Sequence, residues 1–115
     1  MHELSIAMAL LQQLQDEARK EKAVRITSVT ITVGTLSGVD PEALEFAFRM
    51  AAEDTISAQA RLIIEKIPAA VQCKACGKRM KPKTRSAACR TCGSCDIEIT
   101  AGRELMLKNM EIETG

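Results

Sequence analysis

Residues 25–44 read RITSVTITVGTLSGVDPEAL, a stretch that contains a strand, a loop and a helix start in succession. Between residues 25 and 33 the aliphatic side chains alternate with threonines, which predicts a strand with one buried face. Two glycines then mark a loop. Asp40 before Pro41 predicts a helix start, because Asp is a favoured N-cap and Pro fits the first helical position. The chain therefore passes from sheet to helix within this stretch.

The residues on either side, outside the cysteine-containing segment, predict one more helix and two more strands. Residues 4–20 space their apolar side chains by three and four positions, which is typical of an amphipathic helix. The helix that begins at Pro41 is expected to run to about residue 54, and strands are predicted over 61–67 and 103–113. The helix positions expected to face the core are Leu4, Ala7, Leu11, Leu14, Ala18, Leu44, Ala47, Phe48 and Ala51.

These elements predict an α+β fold, a small three-stranded sheet with two helices plus an inserted zinc-ribbon-like four-cysteine module. The strands at 61–67 and 103–113 flank the insert. If these two strands pair with each other, the module is a long loop that leaves the edge of the sheet. The last strand changes its apolar phase near Lys108–Asn109, which predicts a β-bulge there.

The composition fits one small domain with a thin core. Of 115 residues 46% are hydrophobic, but two phenylalanines are the only aromatic residues, so aliphatic side chains and Met must supply the buried surface. No stretch approaches the roughly 20 apolar residues of a membrane span, and the start of the chain lacks the basic segment of a secretory signal. We therefore expect a cytoplasmic protein, in which closely paired cysteines favour metal binding over disulfides.

All five cysteines lie in one segment, and four of them form two matching pairs. CKACGK at 73–78 and CRTCGS at 89–94 each contain two cysteines that are separated by two residues and followed by glycine. This spacing allows both thiolates of a pair to reach one tetrahedral ion at about 2.3 Å. The motif predicts a closed structural zinc site, with iron in a rubredoxin-like site as the alternative. The predicted ligands are Cys73, Cys76, Cys89 and Cys92.

Two features of the cysteine segment are open to other interpretations. Cys95 follows shortly after Cys92 and is interpreted as a free thiol, with an auxiliary metal or redox ligand as the alternative. Residues 69–95 carry seven basic side chains and no acidic one, which is typical of zinc ribbons that bind nucleic acid. The segment has no aromatic side chain to stack on bases, so we interpret the basic residues as a solvated surface that offsets the charge of the thiolates.

The start of the chain, Met1-His2-Glu3, contains the only histidine. A lone histidine near a terminus is usually an incidental exposed residue, because termini fray. The α-amine of Met1, the amide nitrogen of residue 2 and the His2 imidazole can nonetheless close adjacent chelate rings around one ion. The amide or the carboxylate of Glu3 can fill a fourth place. Such a square-planar set of nitrogen and oxygen donors suits Ni(II) or Cu(II).

The sequence resembles the HypA family, the nickel metallochaperones of [NiFe]-hydrogenase maturation, over essentially its whole length. The resemblance is carried by the opening MHELSIA, the loop and helix VGTLSGVDPEALEFAF, the two CxxCG knuckles and the closing GRELML. One departure from the family pattern is Arg90, which stands where Pro is usual in the second knuckle. The chain keeps all four knuckle cysteines, so this departure leaves the zinc prediction unchanged.

The resemblance implies two lobes, each with its own metal ion. Residues 1–67 with 103–115 are expected to form the nickel-binding α/β lobe, and residues 68–102 the zinc-binding lobe. Zn²⁺ is then the structural cofactor, and Ni²⁺ is the transferable cargo.

The resemblance also implies a ligand set and partners. His2 is the essential nickel ligand, with the backbone nitrogens of Met1 and Glu3 around the ion, and the Glu3 and Asp40 side chains are candidate carboxylates near it. The implied partners are a HypB-type GTPase and the [NiFe]-hydrogenase large subunit, and in some bacteria the urease system.

Catalysis by this chain is not expected, since the sequence has neither a Ser-His-acid set nor a phosphate-binding P-loop. The alternative function is a zinc-ribbon adaptor or nucleic-acid-binding module in which His2 is incidental. A thiol-exchange enzyme is the least favoured class, because two knuckles that each end in glycine suit a metal better than a redox pair.

Overall fold

The computed structural model describes residues 2–81 and 88–115. The helices are α1, Glu3–Lys20, and α2, Pro41–Ala52. The strands are β1, Ala23–Gly34; β2, Arg61–Ile67; β3, Ala70–Cys73; β4, Arg79–Met80; β5, Ile97–Ala101; and β6, Leu105–Thr114. The two predicted helices and three predicted strands are confirmed to within about two residues, while β3, β4 and β5 were not predicted.

The larger sheet has β1 at its centre, with β2 parallel on one side and β6 antiparallel on the other. Strands 61–67 and 103–113 therefore do not pair with each other, because β1 lies between them, and the condition for a loop leaving that edge is not met. The crossover helix α2 explains the arrangement, since a connection of this length returns the chain in the parallel direction. The predicted bulge is confirmed: Thr30 pairs with Asn109 and Ile31 with Leu107, which leaves Lys108 as the extra residue.

The core lies between this sheet and the two helices. Val29, Ile31 and Val33 are buried, as their alternation predicts, and they pack against buried residues of α1 and α2. The predicted core face of α1 is wrong at its first turn, because Leu4 is 41% exposed while Leu10 is buried. Leu4 instead borders a groove between the two helices.

A second three-stranded sheet lies within the cysteine segment. Strand β3 is central and pairs antiparallel with β4 and β5, and its last residue is Cys73. The strands β3 and β4 have only four and two residues, which is too short for a periodic pattern to appear in the sequence. Residues 82–87, which include Lys83 and Arg85 of the predicted basic surface, lie outside the described residues.

The two sheets meet where β1 ends, at a close approach of two glycines. The Gly34 N–H donates to the Glu104 carbonyl oxygen at 2.7 Å, and the Leu36 N–H donates to the Gly102 carbonyl oxygen at 2.6 Å. A Cβ atom added to Gly34 would lie 2.0 Å from that same carbonyl oxygen, so no larger residue fits. The loop that leaves this contact leads directly to Asp40 and the start of α2.

Candidate metal centres

The two cysteine knuckles have the same backbone geometry. In each, the N–H of the glycine donates to the carbonyl oxygen of the first cysteine at 2.8 Å, from Gly77 to Cys73 and from Gly93 to Cys89. Both glycines have a positive φ, 78° for Gly77 and 75° for Gly93, which glycine adopts without steric cost. The tight turn brings the second cysteine of each knuckle back toward the first.

The four knuckle sulfurs lie together. The Sγ atoms of Cys73 and Cys92 are 3.5 Å apart, those of Cys76 and Cys89 are 3.7 Å apart, and all four lie within 4.8 Å of one another. Around a zinc ion with bonds of about 2.3 Å, neighbouring sulfurs of a tetrahedron are separated by about 3.8 Å. The arrangement thus fits a tetrahedral ion with four sulfur ligands.

Backbone N–H groups point at the buried sulfurs. The Cys76 N–H lies 3.5 Å from the Sγ atom of Cys73, and the Thr91 N–H lies 3.4 Å from that of Cys89. The Thr91 contact was not predicted, because it depends on the backbone of the knuckle and leaves no side-chain signal in the sequence. Such contacts favour the thiolate form, which is the form that binds a metal.

The pKa values of two neighbouring cysteines are pushed apart. The N–H of Cys92, assisted by that of Thr91, lowers the pKa of Cys89 to about 6 although burial opposes this change. At Cys92 the Ser94 N–H lowers the pKa, but the neighbouring thiols and burial outweigh it and raise the value to about 12. The cluster thus ionises stepwise, and a bound divalent cation would favour release of the remaining thiol protons.

Two other residues of this segment lie beside the cluster. Cys95 is exposed and is not one of the four sulfurs that converge. Arg90, the departure from the family pattern, is exposed and its guanidinium donates to the carbonyl oxygen of Lys81. This contact links the second knuckle to the chain that follows β4.

The other predicted site lies at the start of α1. His2 occupies the N-cap position, its carbonyl oxygen accepts a hydrogen bond from the Ile6 N–H at 3.0 Å, and its side chain is 59% exposed. The imidazole Nε2 lies 3.6 Å from Oε2 of Glu3. Met1, the other predicted donor, lies outside the described residues.

Glu3 and Asp40 are brought together with this histidine. The Glu3 side chain is 9% exposed, and its Oε2 accepts a hydrogen bond from the Asp40 N–H at 3.3 Å. This hydrogen bond is the main reason why the pKa of Glu3 lies below its usual value. Asp40 is exposed and its Oδ1 caps α2 by accepting from the Glu42 N–H at 3.0 Å, as the Asp-Pro pair predicts. The starts of both helices therefore lie at one corner of the molecule.

The two sites differ in how complete they are. Within residues 2–81 and 88–115, the four cysteines are the one group of three or more Cys, His or carboxylate side chains whose ligand atoms already converge. His2, Glu3 and Asp40 lie near one another without converging on a point. The described residues thus form one preformed metal cluster and one open corner with nitrogen and oxygen donors.

No helix in the described part of the chain is long and apolar enough to cross a membrane.

Comparison with known proteins agrees with this architecture. The family described as "Hydrogenase/urease nickel incorporation, metallochaperone, hypA" matches residues 1–112. The hydrogenase maturation factor HypA of Synechococcus elongatus is 45% identical over 97% of this chain and 99% of its own length, and that of Aquifex aeolicus is 38% identical over 98% of each.

A solved structure has the same fold. The solution structure of the Ni metallochaperone HypA from Helicobacter pylori superposes with a TM-score of 0.71 at 28% identity and covers the whole of both chains. A second HypA solution structure superposes with a TM-score of 0.77 over 98% of its length. Since the family match spans the chain from its first residue to residue 112, the protein belongs to the HypA family of hydrogenase and urease nickel-incorporation metallochaperones.

Proposed function

We propose that this chain binds Ni(II) at its amino terminus through His2 and delivers it to the large subunit of a [NiFe]-hydrogenase during maturation. The observation that carries the proposal is the corner where α1 begins. There a 59% exposed imidazole lies next to a carboxylate that is only 9% exposed and bound to the backbone of Asp40. The histidine is thus accessible to an incoming ion, while the residue after it is held in place.

The proposed nickel ligands are the Met1 amine, the amide nitrogens of the first peptide bonds and the His2 imidazole. Nitrogen donors in a plane suit Ni(II), and an exposed site permits the ligand exchange that transfer requires. Glu3 and Asp40 provide negative charge beside the ion. Since Oε2 of Glu3 already accepts the Asp40 N–H, its second oxygen remains for the metal.

The proposed resident metal is Zn²⁺ at Cys73, Cys76, Cys89 and Cys92. When bound, it supplies the charge that holds four thiolates together and on the order of 10 kcal/mol of folding free energy. The segment needs this contribution because, of its described residues, Val71 and two cysteines are the only buried hydrophobic ones. We propose accordingly that residues 68–102 are a lobe whose folding depends on zinc, and that residues 1–67 with 103–115 are the nickel lobe.

The proposed partners follow from the proposed transfer. The chain has no P-loop, so nucleotide hydrolysis during transfer would come from a HypB-type GTPase. The hydrogenase large subunit receives the nickel, a urease system is a further client, and transfer takes place in the cytoplasm. The protein acts as a carrier and not as an enzyme, and nucleic acid is not among the partners.

Nickel titration of the zinc-loaded protein tests the proposal. The wild type is expected to bind one equivalent, and His2→Ala to bind none at the same nickel concentration. A Gly-Ser extension before Met1 should also abolish binding, because it replaces the α-amine with an amide while every side chain is kept. Equal nickel binding by the wild type and His2→Ala would overturn the proposal. Salt-sensitive retention of RNA by both proteins would favour the adaptor function instead.

A matched pair of variants tests the carboxylate. Asp40→Asn keeps an N-cap for α2, whereas Asp40→Ala removes both the cap and the charge. If the Asp40 carboxylate helps to hold nickel, both variants weaken nickel binding to the same extent. A loss of nickel affinity confined to Asp40→Ala would show that Asp40 acts only by capping the helix.

A further inference from the structure

The outer side of the helix pair exposes four large apolar side chains. Leu4 and Met8 of α1 are 41% and 58% exposed, and Phe46 and Met50 of α2 are 68% and 58% exposed. In each helix the two residues are four positions apart, so they lie one turn above each other on the same face. Contiguous apolar surface of this kind is typical of a binding site.

A groove of about 420 Å³ lies between the two helices, and three of these four side chains line it, Phe46 being the exception. Leu4, Met8 and Leu11 line one wall, Met50 and Ala51 the other, with Gln15 and Thr55 at the far end. Because Glu3 binds the Asp40 backbone, both helices begin at the same corner, and the α1 wall of the groove begins at Leu4, directly after Glu3. The wall formed by residues 4–15 rises about 17 Å along α1, which is the length of about three helical turns.

The charges around the groove are unevenly distributed. Residues 4–15 include no charged side chain, although α1 is a surface helix. On α2 the exposed Glu42 lies within about 80° of Met50 around the helix axis, and the exposed Glu53 follows directly after the helix. The one exposed cation of α2, Arg49, lies 3.8 Å from Glu45. The described residues that line the groove are uncharged, but α2 and the two residues after it carry more exposed acidic than basic side chains.

This charge distribution selects among possible occupants. A second copy of this chain seated face to face would bring a second α2 with excess negative charge close to the first, which electrostatic repulsion disfavours. An anionic lipid surface would be repelled in the same way. A cationic amphipathic segment suits both the apolar groove and the acidic side chains of α2, because its apolar stripe fills the groove while its Lys or Arg side chains contact the glutamates.

We propose that this groove binds one amphipathic helix of a partner protein, with an apolar stripe about three turns long and basic side chains on its flank. The inference rests on the proposed function, in that the helix belongs to the protein that exchanges nickel with His2. The docked helix places its own protein beside the start of α1. Recognition uses the helix-in-groove mode, in which residues spaced by three and four positions insert as anchors.

Binding of a synthetic probe tests the proposal. The probe is a fluorescent 15-residue peptide with Leu and Met at helical spacing and Lys on the flanks, titrated with the zinc-loaded full chain and followed by anisotropy. The double variant Met8→Gln/Met50→Gln removes apolar contact without adding charge, and Gln is a good helix former. It is expected to weaken binding at least tenfold. Met106→Gln is the matched control, since Met106 on β6 is 55% exposed and lies away from the groove.

Two further comparisons test the charge of the glutamates and the helical spacing of the apolar residues in the probe. Glu42→Gln/Glu53→Gln should weaken binding several-fold and reduce its dependence on salt. A peptide of the same composition with the apolar residues scrambled, and one with Glu in place of Lys, should bind at least tenfold more weakly. Equal binding of the probe by Met8→Gln/Met50→Gln and the wild type overturns the proposal, as does equal binding of either control peptide.

Other occupants and the nickel function are distinguished in the same samples. A dimer of the free chain, or retention on phosphatidylserine vesicles, that Met8→Gln/Met50→Gln abolishes would assign the groove to a second copy or a membrane and overturn the partner-helix proposal. His2→Ala should bind the probe normally, and Met8→Gln/Met50→Gln should bind nickel normally. If the wild type binds the probe but does not bind nickel, the proposed function is overturned and the groove proposal is not.

Discussion

The four-cysteine cluster and the amino-terminal corner are built from opposite kinds of local structure. The cluster is made by two turns that share the hydrogen bond from the glycine N–H to the carbonyl oxygen of the first cysteine, with Cys73 and Cys89 buried and four sulfurs already in tetrahedral range. The corner has one exposed imidazole at the first turn of a helix, and it is fixed in place by the hydrogen bond from Asp40 to Glu3.

This difference indicates how each site would treat a metal. A cluster whose ligands are positioned by the backbone binds with little reorganisation and leaves no open coordination position, which suits an ion that stays. An exposed corner must draw its donors together when the ion arrives and can release them again. Substitutions at Cys73, Gly34 and Glu3 test how separate the two regions are.

Cys73→Ala is expected to have the largest effect. Its sulfur is fully buried and lies 3.5 Å from that of Cys92, and its backbone is part of β3. Removal of one thiolate leaves three ligands, so bound zinc should fall from one equivalent to well below it, with a loss of metal-binding free energy on the order of 10 kcal/mol for the folded module. Zinc analysis and amide exchange should report a lost metal and unprotected β3 and β5.

The same variant tests the proposed division into lobes. Protection of α1 and α2 should persist in Cys73→Ala, because none of the described residues of the cysteine segment belongs to their core. The control is Cys95→Ala, which removes an exposed thiol outside the cluster and should keep zinc. A single cooperative loss of both regions in Cys73→Ala would refute the division.

Gly34→Ala tests the contact that joins the two regions. Its new Cβ would lie 2.0 Å from the backbone oxygen of Gly102, so either the end of β1 or the chain before β6 must move. We expect a loss of about 3 kcal/mol in the free energy of unfolding, measured by urea titration. Gly38→Ala is the matched control: Gly38 has φ of 79° but open space around it, so its cost is about 1 kcal/mol of backbone strain. Equal losses would mean that the close approach relaxes easily.

The parts of the molecule that could be predicted from the sequence are those fixed by neighbours in the chain. The Asp40 cap before Pro41 and the turns at the two knuckle glycines each depend on local backbone chemistry, and the structure has both. Strand β1 also lies where its alternation predicts, but the alternate residues Ser28 and Thr30 are buried too, so the expectation of a single buried face is wrong. The bulge at Lys108 was also visible, because an extra residue shifts the apolar phase of its own strand.

The parts that could not be predicted depend on distant residues. The order of the strands in the larger sheet was one such part. The helix between β1 and β2 was nonetheless a usable signal that these two strands are neighbours, since such a connection favours parallel pairing. The exposure of Leu4 was another, because periodicity shows which side chains share a face and not how far the adjoining helix covers them. The hydrogen bond from the Asp40 backbone to Glu3 joins residues 37 positions apart and has no local signature.

Glu3→Gln is expected to have the smallest effect, and it isolates the charge of the Glu3 carboxylate, which accepts the hydrogen bond from the Asp40 N–H. Gln keeps an oxygen that can accept the Asp40 N–H, but it cannot ionise. The folded pKa of Glu3 lies below its usual 4.5, chiefly because of that N–H, so its charge stabilises the folded chain above this pH. The stability advantage of the wild type over Glu3→Gln should therefore be full at neutral pH and disappear as the pH falls through the lowered pKa.

Urea titration of both proteins in steps from neutral pH to about pH 3 measures this difference. Glu98→Gln, the same change at an exposed glutamate of β5, serves as the control. If the free energies of unfolding of the wild type and Glu3→Gln differ by the same amount at every pH, the shape of the side chain holds the corner and its charge does not. A difference that vanishes as the pH falls through the lowered pKa of Glu3 would show that the charge of this single carboxylate, and not its shape alone, holds the corner.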